Sequence, residues 1–398
     1  MKNIYDNIII GSGLTGLTIA KLLSSKKINY IILDKNKDAG GRISTNNSTR
    51  YNLDEGFQIL LEDYPNLGIF PEINNSSFKK FESGFITKKG NSLYKVLNPL
   101  KNIKGFFFDN SFPGFTLKDK YLLGKLIFLS KKYENQEIPV KNFLKDFGFS
   151  DTFINDFFIS FFQGVFLDNN LNVPLKYFLF IFSLFSKSNV SIPVNGMNQI
   201  VQEILLKLDS SKLKLNKEVV NIKADSIETD DGEIFYFKKL FCTDPQIEKL
   251  IDKRLNQNFF KRISYNSVSC FYFLADMIDV DDRFIYLFPE SKNITNMCLK
   301  KLENDRFIIS ASSLCMEISE NAIEKEISVY FDNIKNIKFL EAFKILNALP
   351  SNPKFFNFQK KSFYQYSSNI YFAGDYLSYP CLNGSIQSAV NLVRSLSK

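Results

Sequence analysis

The chain has 398 residues, 45% hydrophobic and 23% charged, a composition that excludes disorder and suits two interleaved domains rather than one core. Its net charge of +8 comes from lysines scattered among aspartates and glutamates, with no long basic run, so nucleic-acid binding is not expected. Histidine is absent, which excludes Ser-His-Asp triads, Cys-His pairs and histidine metal sites; no metal is expected, and a bound cofactor is the economical source of reactivity.

The five cysteines, at 242, 270, 298, 315 and 381, show neither C-x-x-C nor metal spacing. An odd count fits free thiols in a reducing compartment. No apolar leader precedes the first strand, and the most apolar stretch, 175–185, is about half of what a spanning helix needs. The expectation is a cytoplasmic protein; aromatic helices and positive charge add peripheral membrane contact as a further reading.

Residues 7–10 form an apolar run without alternation, the pattern of a parallel strand buried on both faces. Gly11, Gly13 and Gly16 follow as G-x-G-x-x-G where this strand should give way to a helix. The first glycine permits a sharp turn, the second lets backbone approach a pyrophosphate, and the third lets the helix lie close to the strand. Phosphate is favoured there by the free N–H groups and dipole of the helix N-terminus. Residues 30–33 read as a second strand ending in Asp34, about twenty residues downstream, where a carboxylate meets a ribose hydroxyl. Gly40, Gly41 and Arg42 then form a second glycine pair, which either lies under a diphosphate with a guanidinium supplying charge or is an ordinary surface turn.

From 61 to 190 the sequence changes character. A strand at 92–96 gives way to aromatic helices at 141–149, 151–162 and 175–185. Phe153, Phe157, Phe158, Phe161 and Phe162 leave the second of these almost no polar face, and such rings either pack as core or line a large apolar pocket. A turn at Pro193, Asn195 and Gly196 precedes an amphipathic helix reaching Leu208. Three short strands, at 218–222, 226–229 and 233–237, form a meander that returns to a separate short strand at 240–243. Strands are expected at 268–274 and 307–312, with Cys270 and Tyr272 on one face and Phe271 and Phe273 on the other, and a helix at 318–333. A strand at 369–373 delivers Gly374 and Asp375, and a small-residue helix with one apolar face closes the chain.

Together the two ends resemble the FAD signatures of the flavoprotein superfamily of amine oxidases, phytoene desaturases and protoporphyrinogen oxidases. The resemblance implies an α/β fold: a Rossmann-like FAD-binding domain from 1–60, 191–245 and 366–398, with an interleaved α+β substrate domain, a mixed sheet plus helices, from 61–190 and 246–365. It carries FAD contacts onto Gly11, Ser12, Gly13, Leu14, Thr15, Gly16, Asp34, Lys35, Gly40, Gly41 and Arg42. Asp54, Gly56, Phe57 and Gln58 match a motif passing near the isoalloxazine, and Val219, or Val220 by a one-residue slip, meets the adenine. At the far end Gly374 and Asp375 approach the ribityl phosphate, while Ser385 and Ile386 point N–H groups at the flavin pyrimidine.

The amine oxidases of this superfamily place an aromatic residue a few positions before the last helix, where this chain has Cys381 or Leu382. An amine cage is therefore not expected, and the desaturase and protoporphyrinogen-oxidase branches are nearer. The expected function is FAD-dependent hydride removal from a largely apolar substrate, carotenoid-like or porphyrinogen-like, with an electron acceptor the sequence does not identify. The rivals are amine oxidation and a non-catalytic binder of prenyl or other apolar ligands. Tyr376 and Tyr379 face either pocket or core, and no catalytic acid or base is singled out.

Overall fold

The computed structural model describes residues 3–47, 50–102, 104–105, 112–136, 138–252, 257–303, 305–331, 333–351 and 362–396. The first strand, Asn3–Ile10, is central in an eight-stranded sheet, and its isoleucines explain why. Ile9 packs into one buried cluster and Ile8 and Ile10 into another, so both faces are covered. Ile31–Leu33 pairs parallel to it on one side, followed by Leu213–Lys214, and Ile234–Cys242 pairs parallel on the other.

Ile234–Cys242 is one nine-residue strand where the sequence suggests two. Its first half pairs antiparallel with Ser226–Thr229, and its second half pairs parallel with Ile370–Ala373 along the same edge. The change of neighbour part-way along the strand breaks the sequence pattern while the backbone runs on. Phe363–Gln365 pairs with Ile370–Ala373 and so belongs to this sheet, slightly ahead of the expected boundary at 366.

The second sheet has seven strands in the order Lys335–Pro350, Tyr265–Asp276, Arg306–Ser313, Asn296–Lys301, Ile285–Leu287, Gly84–Lys89 and Ser92–Leu97. It is mixed: Ile285–Leu287 runs parallel to Gly84–Lys89 and the other pairs are antiparallel. The expected alternation holds, with Cys270 and Tyr272 on one side and Phe271 and Phe273 in the core on the other. Helix Glu320–Tyr330 covers the phenylalanine side through Ile323 and Ile327. The sixteen-residue strand Lys335–Pro350 is absent from the sequence reading; three register shifts against Tyr265–Asp276 spoil its period of two.

The aromatic region packs as helices. Val140–Phe147 ends at Gly148, whose φ of +106° suits a left-handed cap, and Asp151–Phe166 is helical with a π-turn at Ile154–Ile159. Phe153 and Phe158 are buried beside Phe178 of helix Leu175–Lys187, whereas Phe157, Phe161, Phe162 and Phe182 reach cavities. Val190–Pro193 pairs with Leu60–Leu61 and Phe78–Lys80, and after the expected turn the helix runs Asn198–Leu205, short of the expected Leu208. Among the described residues no helix is long and apolar enough to cross a membrane.

Candidate active site

Four parallel strands end at one edge of the eight-stranded sheet, handing the chain to Gly11, Asp34, Thr243 and Gly374 in turn. A crevice beyond the carboxyl ends of parallel strands is where an open α/β sheet binds ligands. Here it is a cavity of about 780 Å³, walled on the far side by the second sheet and the aromatic helices.

The two glycine turns touch. Gly13 and Gly40 are bridged in parallel, and the Gly40 N–H donates to Ser12 O at 3.1 Å. A Cβ on Gly13 would meet no protein atom closer than 3.8 Å, so its volume would be taken from the cavity. Gly16 works differently. A Cβ there would lie 1.9 Å from Gly11 O, which makes it the contact between helix Leu14–Ser25 and the first strand. This is the division of labour that the spacing implies, whereas the resemblance carried both glycines over as cofactor contacts; Gly16 is a packing joint and not cavity wall.

Asp34 is 6% exposed and oriented by its neighbours. Its Oδ2 accepts from Ser12 N at 2.7 Å and Ser12 Oγ at 2.6 Å, and its Oδ1 accepts from Asn36 N at 2.9 Å. A carboxylate has about four acceptor sites, which leaves capacity for a hydroxyl in the cavity that Asp34 lines. Ser12 itself is fully buried and acts through Asp34.

Two helix N-termini open on the same cavity. Leu14–Ser25 starts at Gly13 and Leu382–Ser395 at Cys381, both without a side-chain cap, and the helices pack against each other. Leu14, Thr15, Leu382 and Ser385 lie in the wall, with Thr15 Oγ1 donating to Ser385 O at 3.4 Å. Uncapped N–H groups and two dipoles make this end of the cavity receptive to anions and hydrogen-bond acceptors. A helix N-terminus ordinarily favours thiolate, but burial prevails at Cys381 and pushes its thiol up to about 12, so it stays protonated.

Arg42 joins both ends of the chain. Its guanidinium donates to Asp375 Oδ1 at 2.6 Å and to Ala348 O at 3.2 Å. Burial opposes the charge, but the neighbouring Asp375 carboxylate outweighs it and holds the guanidinium protonated above its ordinary value. Arg42 retains 41% side-chain exposure and lines the cavity, whereas Asp375 retains 5%. Gln58 Nε2 donates to Arg42 O at 2.6 Å, and Tyr272 Oη braces the segment before it by donating to Asp54 O at 2.8 Å.

Lys35, Gly41, Gly56 and Phe57 also stand in the wall. So does Val219, while Val220 is 45% exposed outside it. Gly374 and Ile386 do not line it: the Gly374 N–H donates to Ser388 Oγ at 2.8 Å, and Ile386 is core. Tyr376 is buried in the wall, and Tyr379 instead stacks on Tyr177 and Phe180 at 5.5 and 4.6 Å. Sequence reasoning missed Thr243, Tyr265, Ile345 and Ala348, which reach the cavity through strand ends and the unexpected long strand; only the end of an apolar run at Thr243 offered a signal.

The flavin containing amine oxidoreductase family model matches residues 14–276, from the first helix N-terminus through the strand that braces Asp54. The chain belongs to this family. As a flavin-containing amine oxidoreductase it is an FAD-dependent oxidoreductase, and the cradle fits that cofactor: a Gly13 whose missing side chain leaves ligand space, an oriented Asp34 and two uncapped helix ends. Solved structures share the whole architecture. An oxidoreductase from Methanosarcina mazei matches with TM-score 0.76 at 16% identity, over 98% of this chain and 100% of that one. Putrescine oxidase bound to putrescine matches at 0.74 and 12%, over 100% of both, and a provisionally named protoporphyrinogen oxidase from Exiguobacterium sp. at 0.72 and 14%, over 98% of both. No curated protein matches this sequence. At such identities the structural likeness is one of fold.

Proposed function

We propose that this flavin-containing amine oxidoreductase oxidises a largely apolar substrate, carotenoid-like or porphyrinogen-like, in the half of the cavity farthest from the glycine turns. The observation that carries the reading is the chemistry of that half. Phe161, Val165, Leu167, Ile181, Phe185, Ile285 and Leu287 form much of it, and no wall residue between 161 and 185 or between 265 and 349 carries a charge. An amine is a cation in water and calls for a carboxylate or an aromatic cage. The position before the last helix offers Cys381 and Leu382, and the Tyr379 ring is spent on Tyr177 and Phe180. A smaller apolar chamber of about 90 Å³ adjoins, sharing Phe161, Phe185 and Ile285 with the main cavity. Phe161 and Phe185 meet edge to face at 4.9 Å and form the partition.

In this reading the FAD-binding part comprises 1–60, 191–245 and 366–398. Gly11, Gly13, Leu14 and Thr15 hold the diphosphate, Asp34 the ribose and Val219 the adenine side. Gly40, Gly41, Arg42 and Asp375 would hold the middle of the cofactor and Lys35 its ribose side, while Gly56, Phe57, Gln58 and Ser385 would serve the ring system. Ser12, Gly16, Gly374 and Ile386 support these residues from behind. FAD held there would supply a two-electron acceptor for hydride removal from a C–H or N–H bond, its electrons going on to dioxygen, a quinone or another carrier. The chain's own contribution is to orient an apolar molecule, exclude water with aromatic walls and aim helix N–H groups where negative charge develops. Tyr177 Oη is spent on Pro380 O at 2.6 Å, so the nearby polar groups Asn296 and Ser312 serve orientation. The described cysteines are free thiols, which supports a cytoplasmic, reducing setting, and an apolar substrate gives reason for contact with a membrane surface.

The test is anaerobic mixing of the yellow holoenzyme with a carotenoid precursor, a porphyrinogen and a diamine. Bleaching of the flavin band by an apolar candidate is expected. Bleaching by the diamine alone would hand the site to amine oxidation.

A further inference from the structure

Helix Leu117–Tyr133 presents an apolar stripe to solvent. Leu117, Tyr121 and Phe128 are 74%, 65% and 78% exposed, and their spacing puts them on one side of the helix. Single exposed apolar residues need no explanation, but three aligned on one helix form a patch that looks for a partner. Lys118, Lys125, Lys131 and Lys132 surround them, all exposed. The one acidic residue in the helix, Asp119, is buried and occupied by Thr116 and Ser150. The face is therefore apolar along its middle and cationic along its flanks. A second copy of the chain would set lysine against lysine across such a contact, whereas a bilayer with anionic headgroups complements both features.

The other side of the same helix gives this placement a use. Leu123 and Ile127 line the smaller chamber, which is parted from the main cavity by Phe161, Phe185 and Ile285. We infer that helix Leu117–Tyr133 rests on an anionic lipid surface, with Leu117, Tyr121 and Phe128 in the headgroup layer and the four lysines against lipid phosphates. An apolar substrate dissolved in that lipid would then reach the main cavity by way of the smaller chamber. This route rests on the apolar-substrate reading, while the docking does not.

The experiment is sedimentation of the holoenzyme with phosphatidylcholine vesicles, with and without about a third phosphatidylglycerol, at low and high salt. Binding to the anionic vesicles at low salt, weakened by salt, is expected. The double variant Leu117→Ser/Phe128→Ser should lose at least about tenfold in partition, and Lys125→Gln/Lys132→Gln about fivefold for each lysine, both with the flavin content of the parent. Three results would overturn the inference: no sedimentation with anionic vesicles at low salt, equal binding by the serine variant, or self-association that the serine variant loses while vesicles are ignored. Because no substrate is present, docking can fail while the apolar-substrate reading stands, and diamine oxidation would remove that reading without touching the docking.

Discussion

The two halves of the cavity are built by different means. On the cofactor side the wall is backbone: glycine turns in contact, two uncapped helix ends, and a carboxylate held by three hydrogen bonds. On the far side it is side-chain surface, largely aromatic and aliphatic. In the first construction a side chain added at Gly13 takes its volume from the cavity. The second sets the size and polarity of what is oxidised, and can be remodelled one ring at a time.

Substitutions on each side should separate the two. The largest effect is expected at Gly16→Val, whose Cβ would collide with Gly11 O; we expect a loss on the order of 3 kcal/mol or more in unfolding free energy, read by urea denaturation of the apoprotein. Gly13→Val, three residues away, should keep the apoprotein's unfolding midpoint and lose bound flavin, with FAD affinity falling at least about a hundredfold because ligand volume is occupied. Flavin retained by that variant would refute the assignment of the cradle. Arg42→Met leaves a buried Asp375 without its partner, which should cost about 2 kcal/mol, less than for a fully buried pair because the guanidinium is partly exposed. Adding Asp375→Asn should recover most of the loss, and a double variant no better than the single would show that the pair is not the cause. The smallest effect overall is expected on the far side. Phe161→Ala, at a half-buried ring, should cost about 1 kcal/mol, leave FAD affinity unchanged and merge the two chambers, shifting KM toward bulkier substrates. A change in FAD affinity instead would mean that the two halves are not independent.

The same contrast explains what was legible. Gly11, Gly13, Asp34, Gly41 and Asp375 were found at both ends of the chain because each answers a local demand, a turn or a strand end, that leaves a mark at fixed spacing. Ser12 and Ile386 sit inside those motifs yet point away from the cavity, a matter of side-chain direction that spacing does not encode. Ile345 and Ala348 left no mark, because the bulged strand carrying them has no clean alternation. Among the phenylalanines of helix Asp151–Phe166, periodicity could not separate core from wall, since Phe158 and Phe161 are chemically identical and differ only in what packs beside them.

Local sequence was enough to mark the unit at 5–42 as a dinucleotide site and to pick out the strand and helix at the other end, because backbone geometry at a diphosphate demands particular residues at particular intervals; FAD itself came from the resemblance of the two ends to a known family. It took the folded chain to show that Arg42 closes on Asp375, that Ser12 turns to Asp34 and not to the cavity, and which rings part the two chambers. Those are relations between residues far apart in the chain or alike in kind, and packing alone assigns them.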